Sequence, residues 1–301
     1  MLDILYSYDL HHISGPTKVV ANLIKGLDKI GCDYVLNSSR PRQPYVFIPN
    51  GRANILKVLQ TRTSQKIAIG PNLFIFPQEI PGYLKWLVTK SDLYIQPSLW
   101  AANVWQLLGF NFLPIETWPV GIDTEIFSPA TKKTNRKVLL YHKERSKQEL
   151  AEIEKVLSEM NLDYQTIFYG QYREADYLRL LKQASFILWH GQHESQGIAL
   201  QEALSSNIPA LVCDATSFYQ MENFPYYPFA EILKKIEVTS APYFDNRCGM
   251  KITDIAALPA ALEQMMDVLG DLSPREYVLE NLDLERQAQR LLNLMEVSGT
   301  V

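Results

Sequence analysis

Residues 193–204 read His-Glu-Ser-Gln-Gly-Ile-Ala-Leu-Gln-Glu-Ala-Leu and set two carboxylates, Glu194 and Glu202, on either side of seven mostly small or apolar residues. Glu194 falls just after the apolar run Phe186–Trp189 and just before a helical stretch over Gly197–Leu204. Ser195 is of a type that caps helices. Gly197 leaves the backbone bare, and free amides at a helix start, aided by the helix dipole, favour an anion such as a diphosphate. Glu202 shares a helix side with Ile198 and Ala199. A carboxylate on such a half-buried face needs hydrogen-bond donors, and sugar hydroxyls are suitable ones. At 1.5 Å per residue, Glu202 lies about 12 Å along the axis from Glu194, so one long ligand can touch both acids with its phosphates near the helix start. The plainer alternative is that Glu202 is a solvated helix residue.

A second cluster is cationic. Lys143 and Lys147 follow the apolar run Val138–Tyr141. Fixed positive charge beside a helix start would stabilise the charge that grows on a departing diphosphate; the alternative is an ordinary basic helix start. A metal is the other device for that task, but the chain has no Asp-any-Asp triplet. His190 and His193 flank the same loop without an evident third ligand, so they are expected to orient the loop or touch ligand rather than hold a metal. His11 and His12, just ahead of Gly15, either reach a ligand or are a solvated pair. Asn72, after Gly70-Pro71, lines a cleft or sits in a plain turn.

These residues must be positioned by elements, and the chain supplies an alternation of them. Leu2–Tyr6, Tyr34–Leu36, Tyr45–Ile48, Lys66–Ile69 and Asp92–Ile95 read as strands. Thr17–Lys29, with Val20, Leu23, Ile24 and Leu27 on one face, and Trp100–Leu108 read as helices. Trp118–Ala130, punctuated by Pro119, Gly121 and Pro129 and followed by a basic polar stretch, reads as a linker. The alternation then restarts: strands over 138–141, 165–169, 186–189 and 209–213, helices over 146–160, 175–182 and 197–204. Strand–helix alternation implies crossover units and parallel sheets. Two such blocks imply two doubly wound domains facing each other, residues 1–120 and 121–301. The amphipathic helix of residues 284–296 carries Leu284, Ala288, Leu291, Leu292 and Met295 as one stripe. Its partner is not readable from the sequence, and the N-terminal domain is the candidate.

Bulk properties narrow the class. The chain has 301 residues, 47% of them hydrophobic and 21% charged, with a formal charge of −4, so no basic field points to nucleic acid. Cys32, Cys213 and Cys248 fit neither a zinc site nor a disulfide framework, as expected of reduced thiols in a cytoplasmic protein. The N-terminus carries Asp3 and no basic region, unlike a signal peptide. Leu93–Ile115 holds no charge, but Pro97, Gly109 and Pro114 among others interrupt it, so strand, turn, helix and strand fit better than a membrane span. Trp100 and Trp105, beside Leu107, Leu108 and Phe110, are core, or else a patch facing acceptor or making peripheral membrane contact.

Residues 193–212, HESQGIALQEALSSNIPALV, resemble the signature of retaining GT-B glycosyltransferases, the large family of glycogen and sucrose-phosphate synthases: Glu, seven residues, Glu, Ala, then a Pro-led apolar strand. WPVGIDTEIFSP (118–129) resembles the family's interdomain segment, and GPTKVVANLIKGL (15–27) its glycine loop and following helix. The resemblance implies a fold of two Rossmann-like domains across a cleft. It implies transfer of a sugar from a nucleotide-diphosphate donor, with retention, no metal and no cofactor, to a glycan, lipid or small-molecule acceptor. Glu202 would hold the ribose hydroxyls, and Glu194 the donor sugar near the reacting carbon. Ser195, Gln196, Gly197, Ile198 and His193 would line sugar and phosphates, Lys143 and Lys147 would meet the diphosphate, and Gly15 would let backbone approach it. The sequence departs from the pattern in four places. Lys143 stands where an Arg is usual, Lys147 is one residue early, Gln196 replaces a common Phe and Asn207 a common Gly. The first domain is also short. A GT-B module that binds a sugar nucleotide or glycan without chemistry is therefore the alternative, and an epimerase or phosphorylase a third reading.

Overall fold

A computed structural model describes residues 1–10, 14–130, 137–222 and 227–297. His11, His12 and residues 131–136 of the basic stretch lie outside them. The chain divides into two units, Met1–Gly121 with Leu282–Val301, and Ile122–Asn281.

The first unit contains β1 (Leu2–Ile4), α1 (Gly15–Lys29), β2 (Tyr34–Leu36), β3 (Tyr45–Ile48), α2 (Arg52–Thr61), β4 (Lys66–Ile69), α3 (Gly82–Val88), β5 (Leu93–Gln96), α4 (Leu99–Leu107) and β6 (Ile115–Thr117). Its six strands run in the order β2-β1-β3-β4-β5-β6 and every neighbouring pair is parallel. Strands covered on both faces read as continuous apolar runs, which is why YVFI, KIAI and LYIQ are strands despite lacking alternation. The helix α1 starts at a capping box in which Ser14 and Thr17 satisfy each other's backbone.

The second unit contains β7 (Lys137–Lys143), α5 (Lys147–Glu159), β8 (Asp163–Phe168), α6 (Glu174–Leu181), β9 (Ala184–Gly191), α7 (Ile198–Ser205), β10 (Ala210–Cys213), α8 (Ala230–Leu233), β11 (Gly249–Ile252), α9 (Leu258–Val268) and α10 (Pro274–Asn281). Its five strands are parallel, in the order β11-β10-β9-β7-β8.

The chain then returns to the first unit as α11 (Leu284–Val297). Its apolar stripe packs on α1. A Cβ on Gly26 would stand 2.5 Å from the Leu284 carbonyl oxygen, and one on Gly121 2.6 Å from Leu284 Cα. These two glycines let α11 seat against α1 and the end of the first unit. The indole of Trp118 donates to the Gln287 carbonyl (2.8 Å), and Arg290 to that of Thr117 (2.8 Å).

Several elements differ from the sequence expectation. The strand expected to end at Trp189 continues through His190 and Gly191, because its neighbour β7 extends the ladder past the last residue that β10 pairs. The short α3, behind Pro81-Gly82, and β11, GMKI, are too brief to show a period. Trp105, Leu108 and Phe110 are core, with Trp105 and Phe110 packed on Tyr94, whereas Trp100 is half-buried and Leu107 exposed. Asn72 lies in the turn after β4, its N–H on the Pro49 carbonyl.

Candidate functional site

In the second sheet β8 lies to one side of β7 and β9 to the other. The chain therefore reverses direction of growth between β7 and β9, and open parallel sheets bind ligands beyond the carboxyl ends of such a pair. There His142 pairs with His190 and Lys143 with Gly191. Below this level the Tyr141 ring stacks on Trp189 at 4.0 Å.

Lys143 ends β7, and Glu194 stands three residues past β9. The Lys143 ammonium donates to Glu194 Oε1 at 2.7 Å, with the two side chains only 11% and 15% exposed. The Lys143 Nζ also lies 4.2 Å from the centre of the Tyr169 ring, just after β8. Burial works against the Lys143 charge, but Glu194 beside it outweighs burial and holds its pKa above the ordinary lysine value.

The loop carrying Glu194 is held from two sides. Gln192 N–H donates to the Lys143 carbonyl (2.9 Å) and Glu194 N–H to that of Thr239 (2.9 Å). Asp214, directly after β10, braces the Thr239 segment. It accepts from the hydroxyls of Thr239 and Ser240, the Ser240 N–H (2.6 Å) and Lys251 (3.2 Å).

Behind the pair sits a buried polar network. Arg145, 2% exposed, grips Glu149 with Nε and Nη2 (3.1 and 3.2 Å) and donates through Nη1 to the carbonyls of Gly191 and Cys213. One guanidinium thus ties the helix start of α5 to the ends of β9 and β10. His190 Nε2 lies 3.1 Å from Glu149, and His190 Nδ1 3.1 Å from His142 Nδ1. An ionised Glu149 only accepts, so His190 carries its proton on Nε2, its Nδ1 accepts, and His142 donates from Nδ1. The His190 hydrogen bond, with Arg145, holds the Glu149 carboxyl down at about 2. Burial first, then His190 and Arg145, lowers His142 to about 4.

Both shifts make the unit acid-sensitive. Glu149 contributes stability above its ordinary value that is lost as pH falls toward 2. His142 must stay neutral when folded, so protons favour the unfolded chain as pH falls from about 6.5 toward 4. We expect His142 alone to remove on the order of 3 kcal/mol over that interval. Urea unfolding at pH 7 and pH 4.5 measures this, and equal midpoints would contradict it.

The helix α7 opens differently from expectation. Gly197 caps it in the left-handed conformation (φ 79°, ψ 46°), with no side-chain cap. Ser195 is exposed and two residues too early to cap. A glycine adopts positive φ without a Cβ penalty, so the chain turns into the helix there. By helix geometry, the amides of Ile198, Ala199 and Leu200 have no intrahelical acceptor. Gln196 is buried and exchanges amide hydrogen bonds with Gln201 (3.0 and 2.7 Å), which lets a polar side chain occupy a covered position. Asn207 has φ 56°, the same left-handed region that a glycine would fill.

Glu202 is 2% exposed, buried rather than half-buried. It adds to the upward shift of the Tyr177 hydroxyl, which burial dominates, and that hydroxyl donates to the Ala199 carbonyl at 2.7 Å. His193 packs edge-on against Phe218 at 4.5 Å, and burial, then Lys143, lowers it to about 4. His190 and His193 thus diverge, and no group of three or more metal-ligating side chains occurs among the described residues. Lys147 is not drawn to the pair: its side chain is 84% exposed and its Nζ lies 4.0 Å from Glu222. Gly15, first residue of α1, belongs to the other unit, where a Cβ would meet nothing within 4 Å, so packing does not demand the glycine.

Sequence reasoning assigned no role to Arg145, Glu149, Asp214 or Tyr169. The i, i+4 spacing of Arg145 and Glu149 was the available signal; nothing local connects Asp214 to Thr239.

No protein-family model and no curated protein sequence matches the chain. Solved structures do. Sucrose-phosphate synthase from Thermosynechococcus elongatus is similar over 98% of this chain and 98% of its own, with a TM-score of 0.58 and 13% identity. The lipopolysaccharide outer core galactosyltransferase WaaB is similar over 98% and 99%, at 0.58 and 12%. Anabaena HepE, solved with UDP and glucose, is similar over 98% and 99%, at 0.62 and 8%. The chain has the GT-B fold. The two parallel-sheet α/β units are the two Rossmann-like domains of GT-B, and the Lys143–Glu194 pair, Gly197 and Glu202 all lie on the second of them. Among the described residues of this GT-B chain no helix is long and apolar enough to cross a membrane.

Proposed function

We propose that the protein transfers a sugar from a nucleotide-diphosphate donor to an acceptor hydroxyl, with retention and without a metal. The observation that carries this reading is the Lys143–Glu194 pair beyond the carboxyl ends of β7 and β9, beside the amide end of α7. HepE, which shares the fold, was solved with UDP and with UDP-glucose, which supports a nucleotide-sugar ligand. In this reading the diphosphate takes its place at Lys143 and the α7 amides, and Glu194 turns from the ammonium to the sugar hydroxyls. His193, Ser195, Gln196 and Ile198 border the sugar and phosphates, Glu202 accepts from the ribose, and Lys147 approaches the diphosphate. The bond between the anomeric carbon and the diphosphate oxygen breaks. The acceptor oxygen bonds to that carbon on the same face, and its proton passes to the leaving diphosphate. Negative charge grows on that leaving group, where fixed cation and amides act most strongly.

A second reading is a GT-B module that binds a sugar nucleotide or glycan without transfer. Lys147 favours it, being exposed and beside Glu222 rather than at the pair.

A panel of nucleotide sugars assayed for nucleotide release, with calorimetry of the free nucleoside diphosphates, separates the readings. Release with one donor supports transfer, and binding without release supports the module. The absence of both with every donor rejects the site. Glu202→Ala should weaken nucleotide binding about tenfold or more, the loss of charge-assisted hydrogen bonds. Unchanged affinity would remove Glu202 from the site.

A further inference from the structure

The helices α2, α3 and α4 cover one face of the first unit's sheet. Their inward side chains Ile55, Val58, Leu84, Leu87, Val88 and Trp105 share one core with β3, β4 and β5. An ordinary surface helix then turns charged and polar residues outward. This layer turns out Leu56, Tyr83, Trp86, Leu99 and Leu107, with Tyr83 and Trp86 70% and 61% exposed. Tyr83 and Trp86, three apart, share the outer face of α3. The exposed residues of α4 are Leu99, Asn103, Gln106 and Leu107, with no charge among them.

The charge around these residues is mostly positive. Residues 52–108 hold six basic and two acidic side chains in a chain of net charge −4. One of the acids, Asp92, is bound by Arg62 through both oxygens, and the other, Glu79, accepts from Ile75 N–H. Lys90 lies 3.6 Å from the Trp86 ring centre and Lys85 5.1 Å from that of Phe112. Aromatic rings with a polar edge, interleaved with lysines, match the boundary between lipid headgroups and acyl chains. A second copy of this chain fits less well, since a contact between two such faces would bring net positive charge against net positive charge.

We infer that this helical layer rests on an anionic lipid surface, with Tyr83 and Trp86 at headgroup depth and Lys85 and Lys90 among the headgroup phosphates. The inference concerns the first unit alone and does not rest on the donor reading. The contact is peripheral: the apolar side chains enter only the interface, and basic residues supply attraction that salt screens.

The test is flotation of the full chain with vesicles of phosphatidylcholine alone and of phosphatidylcholine containing phosphatidylglycerol. We expect binding to the anionic vesicles, weakened by added salt. Binding should fall about tenfold or more in Tyr83→Ser/Trp86→Ser and in Lys85→Glu/Lys90→Glu. Both pairs are exposed, so melting temperatures should stay at the wild-type value. If a variant unfolds, tryptophan emission on vesicle addition reads the same contact, with a blue shift in wild type that Trp86→Phe removes. No binding to anionic vesicles, or equal binding by wild type and both variants, overturns the inference. A concentration-dependent dimer lost in the same variants would assign the face to a second copy instead.

Discussion

Glu194→Ala should lower the rate of nucleotide release from whichever donor turns over by about two to three orders of magnitude, the usual effect of removing one group aimed at a reacting centre. The side chain is 15% exposed, its backbone is tied to Thr239, and its partner Lys143 is equally enclosed. Truncation therefore removes a positioned carboxylate and also leaves a covered ammonium without its counter-charge. Lys143→Ala should cause a loss of similar size, because the cation facing the departing diphosphate is gone. The double variant should be little worse than either single one, since two groups that act as a unit do not contribute additively. Steady-state kinetics of the three variants decides this. A wild-type rate for both single variants would remove the pair from the chemistry, and fully multiplicative losses would show that the two act apart.

The largest effect on stability is expected at Arg145. Its guanidinium is buried, grips Glu149 through two nitrogens and donates to carbonyls at the ends of β9 and β10. Arg145→Leu keeps an apolar stem but leaves Glu149 with His190 as its remaining partner there and takes a donor from two strand-end carbonyls. Losing these charge-assisted hydrogen bonds costs about 3 kcal/mol, which for a unit of this size lowers the melting temperature by roughly 10 °C. Arg145→Lys keeps the charge but has no planar fork, so it should recover only part of that loss. Calorimetric melting of the variants measures the effect, and a melting temperature within a degree or so of wild type would show that the network does not hold the strand ends together.

The parts of the site written in local pattern are legible in the sequence. The apolar runs at 138–141, 186–189 and 209–213 announce strands, since a buried parallel strand must be apolar on both faces. The stretch after Gly197 announces a helix, and the paired glutamates at 194 and 202 are visible as types and spacing alone. Local reading erred where two local solutions competed. Ser195 and Gly197 are both residues that start helices, and the choice between them depends on backbone dihedrals that Gly197 reaches and serine avoids. The end of β9 was misjudged because a strand's length is set by the strands beside it.

By itself the sequence determined the alternation of strands and helices, and hence two parallel-sheet units, because hydrophobic period and turn chemistry act within a few residues. It also determined which side chains were available for chemistry. Only the tertiary structure decided that Lys143 meets Glu194 across 51 positions of chain. It alone decided that Asp214 holds the segment under Glu194, that Arg145 is buried rather than solvated, and that α11 seats on α1. Each of these contacts depends on strand order and on the surface a neighbour leaves open. Such choices are made by packing the whole unit at once, and no window of sequence contains them.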